Sequence, residues 1–426
     1  MKTKKINPSI LMIATIALFG IVIYGGNVLT INTSKITDLI CLVAFTFMPI
    51  SSVVCSICFL IPLHSGITGL YIYGYAVLMI LFKSKKLKMK MIVPLLIIVG
   101  YEIIMMMFVE TAQFNYIIVY ALTVFLLLYM MNTEEVDYKA ACISYICGTI
   151  MLLICIFTTA IQNYSLELVL SGEVRIGQYE GIEGIGNVAV VTENANAMAY
   201  YSLVAIIVAL SMIKKVKSRG KILLTAAMLV LTVIALFSVS RTFVLVLVIM
   251  LLLSALSSFN FKQRVKFLAI IALALAIIIP YLQEKTQILD AFIVRFEDDS
   301  FATGTGRVNI VFDYMKFLWE NPARLFFGTG AVFYKNVCNL GHSLHSGTQQ
   351  IFVSYGVLGF LPMMLVLFSP IIDFFKKNKF KFAKLLPVLT VILFTQSIQF
   401  LNPNNLMLPY AVAIMCMKIP DTEVTK

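Results

Sequence analysis

Residues 238–266 read SVSRTFVLVLVIMLLLSALSSFNFKQRVK and contain the three kinds of segment that recur along this chain. The middle part, 242–258, is an uninterrupted apolar run, long enough as a helix to cross most of a hydrocarbon core of about 30 Å. A polar turn with Arg241 precedes the run, and the basic cluster 262–266 follows it. This pattern predicts a membrane-spanning helix whose two ends lie on opposite sides of the bilayer.

The composition extends this prediction to the whole chain, because 60% of its residues are hydrophobic and only 13% are charged. Such a chain is typical of an all-α polytopic membrane protein. The other apolar runs are 9–29, 39–61, 66–82, 91–108, 116–131, 141–162, 194–213, 222–238, 266–282, 349–373, 386–400 and 406–418. We expect about twelve transmembrane helices in a single integral membrane domain, 1–426, which lies in the cytoplasmic membrane.

Short basic clusters between the runs account for the net charge of +12. Clusters of this kind mark the cytoplasmic side of a membrane protein, so they do not indicate a nucleic-acid partner. They lie at 83–90, 214–221, 262–266 and 376–384. Two long polar loops, 163–193 and 283–348, are then extracytoplasmic.

The parity of the spans conflicts with this orientation at the start of the chain. Three spans within 9–82 would force the N-terminus outside, although it carries three lysines. We therefore expect one run within 39–82 to be re-entrant or wrongly divided.

Several classes of function are disfavoured by motifs that the sequence lacks. There is no P-loop, no HExxH, no GxSxG and no aspartate-rich motif that would hold a divalent ion on a pyrophosphate. The absence of a P-loop, which would hold the phosphates of a nucleotide, argues against an ATP-driven pump. We predict no cofactor and no metal site, although His342 and His345, three residues apart, could be metal ligands.

Three polar groups on the predicted outer side are candidate functional residues. Arg241 offers a permanently charged, planar fork that suits phosphate, although an arginine at a helix end could simply snorkel. Arg307 follows two glycines and opens the stretch 308–319, whose apolar residues predict a short amphipathic helix near the bilayer surface. An arginine there could also be merely solvated. His345 can take a proton from a hydroxyl near neutral pH, which makes it the natural general base.

One acidic residue, Glu102, lies near the middle of an apolar run. A carboxylate at such a position usually has a partner or faces a polar cavity. Structural pairing and a functional role both remain open for it, and it is not included among the predicted catalytic residues.

The order of these motifs resembles the O-antigen ligase and polymerase superfamily over residues 194–360, which fall roughly in the second half of the chain. The resemblance rests on Ser240-Arg241, on Gly306-Arg307 with Pro322 and Gly328-Thr329-Gly330 beyond it, and on His345 before Gly356-Val357-Leu358-Gly359. An asparagine-containing element, with Asn196, opens the span after the first outer loop. Ser346 departs from the asparagine that often follows the histidine in this superfamily.

The resemblance implies a metal-independent membrane glycosyltransferase whose donor is an undecaprenyl-diphosphate-linked glycan. Arg241 and Arg307 would hold the diphosphate, and His345 would deprotonate the acceptor hydroxyl. Arg175, Asn196 and His342 would be substrate-binding residues. The expected activity is polymerisation of oligosaccharide repeat units of a surface polysaccharide. A chain-length regulator and a flippase of the same pathway, with membrane lipid, could be further partners.

Two other functions remain open at this point. A ligase of the same superfamily would pass the glycan to a different acceptor, and the sequence does not name the acceptor. A transporter or flippase for a lipid-linked oligosaccharide would instead need polar groups along a path through the bilayer. Apart from Glu102, the charges concentrate at the outer face, which favours chemistry at one surface over passage.

Overall fold

The structure is a computed structural model that describes residues 8–29, 31–63, 70–109, 113–171, 176–177, 195–258, 307–401 and 406–421, with scattered positions between 261 and 293. Over these residues the chain is helical and contains no strand. Seven helices are long and apolar enough to cross a membrane, and five shorter apolar helices accompany them. The predicted class, an α-helical multi-pass membrane protein, is confirmed. The number of about twelve spans stays a prediction, and most of the run 266–282 lies outside the described residues.

The N-terminal half contributes α1 (Pro8–Val28), α2 (Ser34–Phe47), α3 (Ile50–Leu60), α4 (Leu70–Lys83), α5 (Met89–Met106), α6 (Phe114–Asn132), α7 (Tyr138–Asn163), the short α8 (Leu166–Ser171) and α9 (Ala195–Met212). The remainder contributes α10 (Ser218–Leu236), α11 (Arg241–Ser258), α12 (Arg307–Glu320), α13 (Pro322–Phe327), α14 (Tyr334–Cys338), α15 (Gly347–Lys377), α16 (Phe382–Phe394) and α17 (Leu408–Lys418).

One end of the helix bundle is basic. Lys90 at the start of α5 pairs with Asp373 near the end of α15 at 2.8 Å, and Lys88 pairs with Glu134 beyond the end of α6 at 3.2 Å. These pairs bring the basic clusters 83–90 and 376–384 to the same end, which the positive-inside rule assigns to the cytoplasm. Because α15 ends there, its first residue lies at the opposite end, which the same rule predicts to be extracytoplasmic.

The run 39–61, which the sequence predicts as one span, forms two helices. Pro49 has no N–H to continue α2, and Met48 before it is extended, with a ψ of 145°. The carbonyl oxygens that this break exposes are satisfied from outside the helix. Lys83 Nζ donates hydrogen bonds to the carbonyls of Phe45, Thr46 and Met48 at 2.7, 2.8 and 2.7 Å.

The chain reverses direction at this break. α2 ends beside Lys83, which lies at the basic end of α4. α3 begins at the same end, because the backbone N–H of Asp137, which caps the start of α7, donates to Ser51 Oγ at 2.9 Å. Residues 8–83 therefore form four helices in place of the three predicted, and α1 begins at the basic end. The conflict between span parity and the lysine-rich N-terminus disappears.

The core is held by close helix packing, most tightly between α3 and α7. A methyl group at Gly148 of α7 would lie 2.0 Å from the carbonyl oxygen of Phe59 in α3. Only glycine allows these two backbones to approach so closely. Gly100 of α5 is the opposite case, because nothing lies within 4 Å of a methyl group there.

We therefore expect Gly148→Ala to lower the free energy of unfolding by about 1–3 kcal/mol, since the added methyl forces α3 and α7 apart. Gly100→Ala is the matched control and should raise the stability by up to about 1 kcal/mol through helix propensity. Thermal unfolding of the two purified variants in detergent measures both effects. Equal stability of the two variants would contradict the packing described.

Candidate functional site

The turn before α11 presents Arg241 as the first residue of that helix. Val239 in this turn is buried and has a φ of 47°. A β-branched side chain rarely adopts a positive φ, so the turn stores backbone strain that its surroundings must hold in place. Ser240 Oγ donates to Asn196 Oδ1 at 3.0 Å, which ties the turn to the first turn of α9.

This contact brings two of the predicted site residues next to each other. Asn196 reaches the residue immediately before Arg241, so it can position the turn that carries the arginine. Arg175 lies outside the described residues. Ile176, the residue after it, donates its backbone N–H to the carbonyl of Phe237 at 3.2 Å, two residues before Val239.

Arg307 is the first residue of α12, and the helix predicted over 308–319 is present. Its apolar stripe packs against protein, and its position near the bilayer surface stays a prediction. Tyr314 and Leu318 are fully buried in a small core, together with Leu344 and with Val353 of α15. Arg307 is partly buried on this same side of α12, one and two turns before Val311 and Tyr314.

Two tyrosines fix the backbone of the loop that carries both histidines. Tyr314 Oη donates to the carbonyl of His342 at 2.6 Å, and the N–H of Leu344 donates to Tyr334 Oη at 3.1 Å. The rings of Tyr314 and Tyr334 lie 5.6 Å apart, centroid to centroid. The side chain of His342 is exposed, whereas His345 is partly buried. The side chain of His345 is therefore more enclosed by protein than that of His342.

Arg307, which is far from both in sequence, lies close enough to Arg241 and to His345 for their charges to interact. Burial lowers the pKa of Arg307, and the positive charge of Arg241 lowers it further. Burial also lowers the pKa of His345 from its ordinary value of 6.5, and the positive charges of Arg307, His342 and Lys335 add to the effect. The neutral imidazole is consequently the favoured form near pH 7.

Lys335 is a basic neighbour of His345 that the sequence analysis missed. It lies in the first turn of α14, directly after Tyr334, whose hydroxyl holds the histidine loop. Its only signal in the sequence is a position between Gly328-Thr329-Gly330 and the histidine pair. That position does not by itself predict a contact, since the contact depends on how α14 packs beside the histidine loop.

The helix after the histidine loop is anchored to the end of α16. The N–H of Gly347 donates to the carbonyl of Thr395 at 2.6 Å. The fully buried Gln350 donates to the carbonyl of Leu401 at 2.8 Å and accepts from the N–H groups of Phe400 and Leu401, both at 2.9 Å. His345 thus precedes a helix start that is fixed on the bundle.

The glycine motifs on either side of the histidines pack against each other. α15 is broken at Gly356, whose φ of 61° leaves the helical region. The carbonyls of Val353 and Ser354, one turn before the break, instead accept from the N–H of Thr329 at 3.1 Å each, and Ser354 also accepts from Gly330 at 2.9 Å. A methyl group at Gly328 would lie 2.6 Å from the N of Gly356, so both positions need glycine.

Glu102 completes this arrangement from α5. Its carboxylate, fully buried, accepts from the backbone N–H of Ala331 at 2.8 Å and of Val332 at 3.1 Å. Tyr101, its neighbour, donates to the carbonyl of Phe327 at 2.6 Å. These contacts favour the structural role for Glu102, which the sequence left open.

The arrangement can bind an anion and accept a proton. The guanidinium of Arg307 lies near that of Arg241 and near His345, whose lowered pKa favours the neutral imidazole at pH 7. No three His, Cys, Asp or Glu side chains of the described residues lie together as a metal-binding group. No protein-family model, curated protein or solved structure matches the chain.

We expect Glu102→Gln to loosen the segment 328–345, because the carboxamide turns an N–H₂ group towards a backbone N–H. A loss of about 2 kcal/mol would make amide exchange of this segment roughly thirtyfold faster. Hydrogen–deuterium exchange with mass spectrometry measures this, with α7 as the internal reference.

Glu320→Gln is the matched control, since that carboxylate is exposed. Within the described residues its ion-pair partner is Lys316, at 3.9 Å. Its exchange pattern should equal that of the wild type. Unchanged exchange of 328–345 in Glu102→Gln would show that the carboxylate does not hold the segment.

Proposed function

We propose that this protein is a membrane glycosyltransferase that joins undecaprenyl-diphosphate-linked oligosaccharide repeat units at the outer face of the cytoplasmic membrane. The observation that carries the proposal is the grouping of Arg241, Arg307 and His345 at the extracytoplasmic end of the bundle. The resemblance of their motifs to the O-antigen ligase and polymerase superfamily supplies the substrate class.

The diphosphate of the donor suits the two arginines. Burial lowers the pKa of Arg307 and repulsion by Arg241 lowers it further, so an anion between the two guanidinium groups would stabilise their charges. A guanidinium can bind a phosphate through two parallel hydrogen bonds. Fixed positive charge near the leaving group stabilises the negative charge that develops on it.

The acceptor hydroxyl suits His345. An imidazole whose pKa lies below 6.5 is neutral at pH 7 and can accept a proton. In the proposed step the acceptor oxygen attacks the anomeric carbon of the donor sugar, and its proton passes to His345. The bond between that carbon and the diphosphate oxygen breaks, and undecaprenyl diphosphate leaves with the electron pair. Arg241 and Arg307 hold this leaving group.

The role of Glu102 disfavours the transport alternative. A transporter path would need polar groups free to meet the substrate within the bilayer. Both oxygens of Glu102 are instead occupied by backbone N–H groups of 331 and 332. A ligase would use the same site with a different acceptor, so the assay below includes a second acceptor.

We expect the purified protein in nanodiscs to convert a lipid-diphosphate-linked repeat unit into a ladder of products without nucleotide sugar or added metal. Arg307→Ala should lower the rate by about a hundredfold or more through loss of charge stabilisation. His345→Ala should lower it by a similar or larger factor, about 10²–10⁴. Gel analysis of the lipid-linked glycans measures these rates.

Lys316→Ala, which removes an exposed charge from the same helix as Arg307, is the matched control and should keep the wild-type rate. Transfer of a single glycan to an added second acceptor would identify a ligase instead. Absence of any transfer with the correct repeat unit would contradict the proposal, as would full-length polymer from Arg307→Ala.

The rate should also fall at low pH, when His345 becomes protonated, with a midpoint below the ordinary value of 6.5. Lys335→Gln removes a neighbouring positive charge, so the pKa of His345 should rise and the acid limb of the pH–rate profile should move to higher pH. Lys316→Gln is the control and should not move it. An acid limb that stays in place in Lys335→Gln would exclude either the charge coupling or His345 as the base.

A further inference from the structure

α12 has three distinct faces. The first, with Tyr314 and Leu318, is buried against protein. The second face is polar and exposed. It lies roughly 180–240° around the helix axis from Arg307, at about 100° per residue, and carries Asn309, Asp313, Lys316 and Glu320. The third is apolar and exposed. Val308, Phe312 and Trp319 fall within roughly 40° of each other there, and are 45%, 66% and 79% exposed.

The exposed apolar face continues onto α13. Phe326 and Phe327 are 50% and 60% exposed. The guanidinium of Arg324 lies 4.8 Å from the centroid of the Phe108 ring, just beyond the end of α5. Met107 and Phe108 are themselves 81% and 61% exposed. α13 therefore extends the apolar outer surface of the membrane-spanning helix α5.

The depth of α13 follows from its hydrogen bond to α5. Tyr101 Oη donates to the carbonyl of Phe327 at 2.6 Å. Tyr101 lies five residues before Met106, the last residue of α5, or roughly 8 Å along the helix axis towards the bilayer centre. The end of α13 consequently lies at the depth of the apolar part of α5. Large exposed apolar side chains at that depth are covered by acyl chains if the bilayer reaches them.

We propose that α12 and α13 form a re-entrant element that enters the outer leaflet, with Phe312, Trp319, Phe326 and Phe327 as its lipid-contacting surface and phospholipid acyl chains as its partner. Tryptophan at the interface and phenylalanine deeper in the leaflet is the order found in interfacial helices. The polar face of α12 lies towards water. This inference is independent of any catalytic activity.

The test uses Trp319, the single tryptophan of the chain. The wild-type protein is reconstituted into phosphatidylcholine vesicles whose acyl chains carry bromine at a shallow or a deep position, and quenching of its fluorescence is compared with quenching by aqueous iodide. Phe327→Trp in a Trp319→Phe background reports on the deeper site. Lys316→Trp in the same background places the reporter on the polar face of the same helix.

We expect brominated lipid to remove most of the Trp319 fluorescence while iodide has little effect, with deep bromine more effective on Phe327→Trp than on the wild type. Lys316→Trp should show the reverse, with strong iodide quenching and weak quenching by bromine. Strong iodide quenching of wild-type Trp319 would overturn the proposal, because the face would then lie in water. Quenching by neither agent would overturn it too, because another protein surface would then cover the face. The wild-type measurement decides the question even if a variant fails to fold.

Discussion

The hydrogen bonds between the Glu102 carboxylate and the backbone of Ala331 and Val332 are the constraint on which the extracytoplasmic half of this protein depends. A turn that descends among membrane-spanning helices leaves N–H groups that no water can satisfy, and each unsatisfied group there would cost several kcal/mol. Glu102 satisfies two consecutive N–H groups at once. Carbonyls of α15, freed by its break at Gly356, satisfy the two before them.

The candidate site is built outward from this buried turn. The turn fixes the start of α14, and Tyr334 of α14 holds the backbone of Leu344, one residue before His345. From the other side, Tyr314 of α12 holds the carbonyl of His342. The helix that begins at Arg307 and the loop that carries His345 are therefore parts of one small core. A residue deep in α5 can influence the histidine through this chain of contacts without touching it.

Two departures from ordinary helix geometry lie at the same end of the molecule. Val239 has a positive φ directly before Ser240 and Arg241. In α15, the helix that follows His345, the break lies at Gly356. Both are held by contacts from neighbouring segments, with Asn196 of α9 in the first case and Thr329 of the turn after α13 in the second. Strain and irregular backbone of this kind concentrate where a protein must aim side chains at a ligand. The opposite end of the bundle contains ion pairs and basic clusters.

Much of the local structure could be predicted from the sequence because it depends on neighbours in the chain. The helix starting at Arg307 follows from the spacing of Tyr314 and Leu318, and its end follows from Asn321-Pro322. The span parity predicted a wrongly divided or re-entrant run within 39–82, but it did not identify 39–61, because apolar composition hides a reversal inside a hydrophobic run. Pro49 was the only local signal, and a proline inside a membrane helix is often tolerated.

By itself, the sequence determined the α-helical membrane class and the residue types of the candidate site, since hydropathy and charge act on each segment separately. Only the tertiary structure decided which of these residues meet. It joined Gly328 to Gly356, gave Glu102 its partners and placed Lys335 beside His345. In the folded protein the predicted apolar stripe of α12 packs against other residues, whereas Trp319 is exposed at the surface. The physical reason is that these contacts join segments far apart in the chain. The free energy of a buried hydrogen bond or of a packed glycine depends on its partner residue, and the hydrophobic periodicity of one segment does not identify that partner.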